Sequence, residues 1–279
     1  MTSANERVGL STISFRFRPL PEALEIIARL GAVEVDLGAI PDVTDHVPVP
    51  FTGDVDRYVD ELAAHGLRCG AVNADVGDLN DPSLDAEMLR RTALPLLELA
   101  SATGAALVVA CGRADREPFV DEESDLSCIG QNLRLLADLA RPLRVRLLAE
   151  VLHHRRFIHS TRQADLLLAR VPSEEVGLLL DVAHVVASAE DPAEWARGCH
   201  DRVERVHLRD AVPGDLNIGI GRGAVDFAEV IQVLEESGFA GSYILELETH
   251  DVQEADREAD ALRSRDQIVE LLEPFTNRK

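Results

Sequence analysis

Four segments of this 279-residue chain run from apolar residues straight into groups that ionise or bind metal. LLAE closes on Glu150, LLLDVAH runs into Asp181 and His184, RVHLRD carries His207, and ILELETH carries Glu246 and Glu248. A carboxylate or imidazole at the end of a buried strand costs desolvation unless a partner compensates it. Glu150, Asp181, Glu246 and His207 offer three carboxylates and one imidazole. That donor set suits a single hard or borderline divalent cation, Mn²⁺ first, with Mg²⁺, Co²⁺ or Zn²⁺ as alternatives. A structural zinc site would favour thiolates, and Cys111 is the only cysteine near such a strand end. Glu246 and Glu248 share a strand face by the period of two, so either can be the ligand, and Glu246 is preferred as the deeper. His184 falls just past its strand and reads as a substrate contact. His153 is a further substrate-contact candidate, set against the plainer reading of His153, His154, Arg155 and Arg156 as a surface run.

The elements that must position these groups alternate along the whole chain. Eight β-rich runs lie at 8–14, 32–38, 67–73, 106–112, 145–151, 176–182, 203–209 and 242–248. Between them are helical patterns at 19–31, 54–66, 84–104, 124–142, 161–171, 192–199, 226–238 and 254–273, that at 124–142 capped by Ser124. Strand–helix alternation predicts parallel pairing, and eight units predict a (β/α)8 TIM barrel, a single α/β domain over residues 1–279. An open doubly wound sheet would call for a Gly-rich phosphate loop after the first strand, and none is there. In a (β/α)8 barrel the active site lies at the C-terminal strand ends, where the candidate ligands fall.

Composition narrows the partners. Hydrophobic residues make up 46%, and 28 Lys plus Arg stand against 50 Asp plus Glu, a net charge of −22. A surface that acidic argues against nucleic acid and anionic membrane. The four cysteines, Cys69, Cys111, Cys128 and Cys199, form no Cys-x-x-Cys pair and read as reduced thiols. With no apolar leader or spanning stretch, a soluble cytoplasmic protein is expected.

Together these features resemble the xylose isomerase-like TIM barrels, in particular the sugar phosphate isomerase/epimerase group with its ketose 3-epimerases, hydroxypyruvate isomerase and inosose dehydratase. The resemblance rests on Glu150, the D-x-x-H of Asp181 and His184, VHLRD around His207, GIGRGAVDF at 219–227, LELE, and ligand spacings of 31, 26 and 39 residues. It implies a metal-dependent isomerase or epimerase of a small ketose or polyol, working through an enediolate. Glu150 and Glu246 would bind the metal and move protons, and His184 would steady a substrate oxygen. The alternatives it leaves are an inosose-type dehydratase and a non-catalytic or partner member of the fold. A homo-oligomer is implied by the resemblance alone. The DNA-repair endonucleases on this barrel need more histidines, where this chain has Asn73 and Cys111.

The chain also departs from the ketose 3-epimerases. Arg156 stands where they carry a further Glu, and Pro213 where they carry a substrate-binding arginine. Arg209 and Arg222 are the candidate replacements. The loops after the first three strands would set specificity, with Phe15, Phe17, His46, Phe51 and Asn73 as pocket candidates.

Overall fold

The computed structural model describes residues 3–276. Its strands are β1 (Val8–Ser11), β2 (Glu34–Ala39), β3 (Arg68–Ala74), β4 (Ala106–Ala110), β5 (Leu147–Glu150), β6 (Gly177–Asp181), β7 (Val203–Leu208), β8 (Asp210–Val212), β9 (Asp215–Ile218) and β10 (Ser242–Leu245). Strands β1 to β7 and β10 form a closed parallel barrel, which shuts where Val8 lies opposite Tyr243. All eight expected strands are present, and all but β3 are shorter than their apolar runs. Strand β10 stops at Leu245, so Glu246 lies just beyond it.

The helices are α1 (Ala4–Arg7), α2 (Leu20–Arg29), α3 (Val55–Ala64), α4 (Ala86–Thr103), α5 (Glu122–Ala140), α6 (Thr161–Leu168), α7 (Val182–Ala187), α8 (Pro192–Cys199), α9 (Phe227–Glu236) and α10 (Arg257–Thr276). Local chemistry explains their limits. Helix α4 stops at Gly104, whose φ of 72° is the left-handed conformation that glycine adopts without a Cβ clash. Asp121, not Ser124, caps α5, its side chain accepting from the Ser124 amide, so the helix starts earlier than expected.

Besides the short helix α1, helix α7 and the hairpin β8–β9 have no counterpart in the expected pattern. Helix α7 begins immediately after β6, capped by Asp181 itself. The antiparallel hairpin β8–β9 follows β7 and packs Ala211 and Leu216 against Ala183, Val186 and Ala187 of α7. Asp210 anchors the stretch after it by accepting from the amides of Gly221, Gly223 and Val225. A Cβ on Gly223 would come within 2.2 Å of the Asp210 Oδ1, so that glycine is required by close approach. The glycine amides of this stretch are therefore committed to carboxylates of the same chain, Gly221 and Gly223 to Asp210 and Gly219 to Asp251.

The interior of the barrel is divided. Ala71, Val108, Leu148 and Leu179, from β3 to β6, form a small apolar cluster separate from the main core outside the strands. The other side is ionic. Strands β2 and β7 are not neighbours, so their contacts cross the interior: Arg205 Nε donates to Asp36 Oδ2 at 2.7 Å and its Nη2 to Glu34 Oε1 at 2.8 Å.

Candidate active site and metal centre

Strand alternation puts Arg205 and His207 on the inward face of β7, and Arg209 follows at its end. His207 is fully buried, and its Nε2 lies 3.0 Å from Asp36 Oδ2. Its Nδ1 has no hydrogen-bond partner and faces Glu246 Oε1 at 3.5 Å. Burial works against a charged imidazole there, but Glu246 and Asp36 outweigh it and push the His207 pKa up to about 10. Glu246 Oε1 also accepts from Asn73 Nδ2 at 3.1 Å. Burial raises the Glu246 pKa, yet His207 and Arg209 more than offset that, and the net shift is downward.

Glu150 ends β5, and its Oε1 is a second buried atom without a hydrogen-bond partner. Burial, with the nearby charges of Asp181 and Glu246, pushes its carboxyl up to about 8. The His184 Nε2 lies 3.6 Å from that oxygen. His184 is neutral, its pKa held well below the usual range by burial and by the Arg209 charge. Asp181 is divided between two tasks. Its Oδ1 caps α7, accepting from the Ala183 and His184 amides, while Oδ2 accepts from Arg209 Nε at 2.9 Å and Nη2 at 2.6 Å.

These groups make two sets whose ligand atoms lie close enough to share an ion: Glu150, Asp181 and His184, and Asp181, His207 and Glu246. Asp181 belongs to both. The four expected metal ligands are thus divided between the two sets: Asp181, His207 and Glu246 share one, and Glu150 joins Asp181 and His184 in the other. Glu246 enters a set, whereas Glu248 points to Arg209 Nη1 at 2.7 Å. Within these sets two buried atoms lack a hydrogen-bond partner, Glu150 Oε1 and His207 Nδ1, and each can give a lone pair to a divalent cation once its group is deprotonated. The residues present fit such an ion.

Above them opens a cavity of about 480 Å³ lined by Asn73, Asp75, Glu150, His153, Arg155, Arg156, His184, Arg209, Asn217, Glu246 and Glu248, among others. His153 is not on the surface: its ring stacks on His184 with centroids 3.7 Å apart. Arg156, grouped with it as a surface residue, is buried and paired with Asp75. Arg155 is exposed, and His154 bonds Arg116 and Ser188 at the rim. Among the loop candidates only Asn73 reaches the cavity. Phe15 is buried, Phe51 packs on Tyr58, His46 Nε2 bonds the Arg18 carbonyl, and Phe17 is exposed. Arg222 is engaged by Asp251 and Asp260, away from the cavity, so of the two candidate arginines only Arg209 lines it.

Three residues of the site were not singled out from sequence: Asp36, Arg205 and Asn217. The signal for the first two was present as alternation, Glu34-x-Asp36 on β2 and Arg205-x-His207-x-Arg209 on β7, polar residues at every second place of strands that must line a barrel. Asn217 offered none, because it reaches Arg209 only through the unforeseen hairpin.

Residues 24–268 match the family model for the xylose isomerase-like TIM barrel. The chain belongs to this family. An inosose dehydratase of Lacticaseibacillus casei is 27% identical over 161 residues, 48% of this chain and 50% of that protein. An inosose isomerase of Halalkalibacterium halodurans is 23% identical over 187 residues, 63% of this chain and 65% of the relative. The chain thus spans about half the length of the dehydratase and about two thirds of that of the isomerase. The IolI protein, solved with a bound zinc atom, shares the fold with a TM-score of 0.80 at 17% identity, over 98% of this chain and 100% of that one. All four cysteines are free, and no helix among the described residues is long and apolar enough to cross a membrane.

Proposed function

We propose that this protein is a divalent-metal-dependent isomerase or epimerase of a small polyol ketone, with Glu150, Asp181, His207 and Glu246 as the ligands. The observation that carries the reading is the pair of buried atoms without hydrogen-bond partners, Glu150 Oε1 and His207 Nδ1, one in each of the two ligand sets that share Asp181, with Glu150 and Glu246 lining the cavity. Mn²⁺ is the first choice of ion for this oxygen-rich set. A bound ion would polarise a ketone oxygen and acidify the neighbouring C–H.

The chain's own groups supply the rest. Glu150 and Glu246 reach the cavity from strands on opposite sides of Asp181, so one takes the proton from the carbon beside the ketone and the other returns it. His184, neutral and held by Asp181 through its backbone, presents Nε2 to a substrate oxygen. His153 stacks behind it and keeps the ring in place. Arg209 and Glu248 bind further hydroxyls. The relatives named for inososes make a cyclic polyol ketone the first substrate to test. They also favour a second reading, an inosose-type dehydratase, in which the same proton is removed and a β-hydroxyl then leaves.

Both readings are tested by incubating Mn²⁺-loaded protein with inososes and ketoses in D₂O and following the products by NMR. Epimers or isomers with deuterium beside the carbonyl are expected; loss of water with a new ultraviolet-absorbing product would favour the dehydratase. In Glu150→Gln, turnover is expected to fall by about 10²–10⁴-fold with the fold intact. Unchanged turnover would remove Glu150 from the chemistry and sink the proton-transfer reading.

A further inference from the structure

The place where the two ligand sets meet already holds a positive group. Arg209 Nη2 lies 2.6 Å from Asp181 Oδ2, 2.9 Å from His184 Nε2 and 3.3 Å from Glu246 Oε2. These three atoms include members of both sets, and Asp181 is the member they share. On the strength of the metal reading above, we propose that Arg209 is a resident counter-cation: its guanidinium occupies the ion's place, and loading exchanges one for the other. Arg209 is thus a positioning residue that sets how tightly the site takes metal.

Three features carry this. Asp181 has no oxygen to spare, since Oδ1 is committed to the helix cap and Oδ2 to two guanidinium N–H groups. A metal bond to Asp181 must compete with those charge-assisted hydrogen bonds. Second, the guanidinium leaves His184 overcommitted. A neutral imidazole has one lone pair, yet Nε2 faces Arg209 Nη2 while Nδ1 faces the His154 amide at 3.3 Å. Withdrawal of Arg209 lets Nδ1 accept from the amide and frees Nε2–H to donate to Glu150 or a substrate oxygen. Third, the displaced group has a destination. Its Nη1 is already bonded to Glu248 and Asn217 on the cavity side, at 2.7 and 3.0 Å, and both can hold the guanidinium when Nη2 lets go.

The test is Mn²⁺ affinity, by calorimetry on the full chain, for wild type, Arg209→Met and Arg209→Lys. Met removes the charge and the fork; Lys keeps the charge but cannot fork across Asp181 and Glu248. Displacement predicts tighter binding in both, at least tenfold for Met and several-fold for Lys. If Lys binds like wild type while Met binds tighter, charge alone explains the result and displacement is overturned, as it is by equal or weaker binding in both. Should Met not fold, Lys decides. A structure of the Mn²⁺-loaded wild type with Nη2 still on Asp181 Oδ2 would also overturn it. Wild type that takes up no metal would instead sink the functional reading, a distinguishable outcome.

Discussion

Arg205 lies on the inward face of β7 and Arg209, four residues on, just past its end, and their surroundings differ in one telling respect. Around Arg205 the account of buried charges and hydrogen bonds closes: Asp36 and Glu34 accept from its Nε and Nη2, and no fully buried side-chain atom of the three lacks a partner. Around Arg209 it does not close, because Glu150 Oε1 and His207 Nδ1 stand buried without one. Both layers set a buried arginine among carboxylates. Buried polar groups in folded proteins are nearly always satisfied, so an incomplete layer next to a complete one marks the place where something else binds. Density of charge does not separate structure from site here; completeness does.

The sharpest way to break the comparison is to open the complete layer. Arg205→Met removes the cation that bridges Asp36 and Glu34 inside the barrel, leaving only His207 on Asp36 and Arg68 on the other Glu34 oxygen, and removing one partner of a buried pair typically costs about 3–5 kcal/mol. Urea unfolding is expected to show a loss of that order. A loss below about 1 kcal/mol, the scale of an exposed salt bridge, would mean that the Arg205 layer is not what holds this side of the barrel.

A smaller effect comes from the residue that joins the layers. Asp36 accepts from His207 Nε2 and thereby leaves Nδ1, facing Glu246, as the nitrogen that would give its lone pair to an ion once its proton is lost. Carboxylates that orient a ligating imidazole in this way typically contribute about 10–100-fold to metal affinity. In Asp36→Asn, Mn²⁺ affinity is expected to drop by that factor with one ion still bound per chain. Unchanged affinity would show that His207 is held by the strand alone, or is not a ligand.

The barrel and the clustering of polar strand ends were legible because both follow from short-range pattern. Strand–helix alternation survives in any linear reading, and polar groups ending LLAE and LLLD stand out against apolar neighbours. What escaped depends on pairing across the interior. Asp36 sits in a strand whose burial looks ordinary until β7 is placed opposite it. Arg209 reads as a substrate contact, because nothing local reveals that its fork falls on Asp181. His153 and Arg156 looked like a surface run for the opposite reason: four basic residues in a row suggest solvent, but the loop after β5 folds two of them inward. Helix α7 was hidden because its cap, Asp181, is also the last residue of a strand.

The smallest signal is a count of protons, and it tests the incomplete layer directly. With no ion, Glu150 is pushed up to about 8 from 4.5 and His207 up to about 10 from 6.5, so both hold protons at pH 7. The folded chain then binds protons that the unfolded chain releases. Their contribution to stability is fully present below the unfolded values and is lost as pH rises through about 8 for Glu150 and about 10 for His207. A metal needs both lone pairs, so its binding must expel the protons, about two per ion at pH 7, and affinity must rise with pH. Calorimetry in two buffers of different ionisation enthalpy reads that number. Near pH 9, where Glu150 has already ionised, it is expected to fall toward about one. Binding without proton release at pH 7 would place the ion elsewhere, and the two partnerless atoms would then need a different occupant.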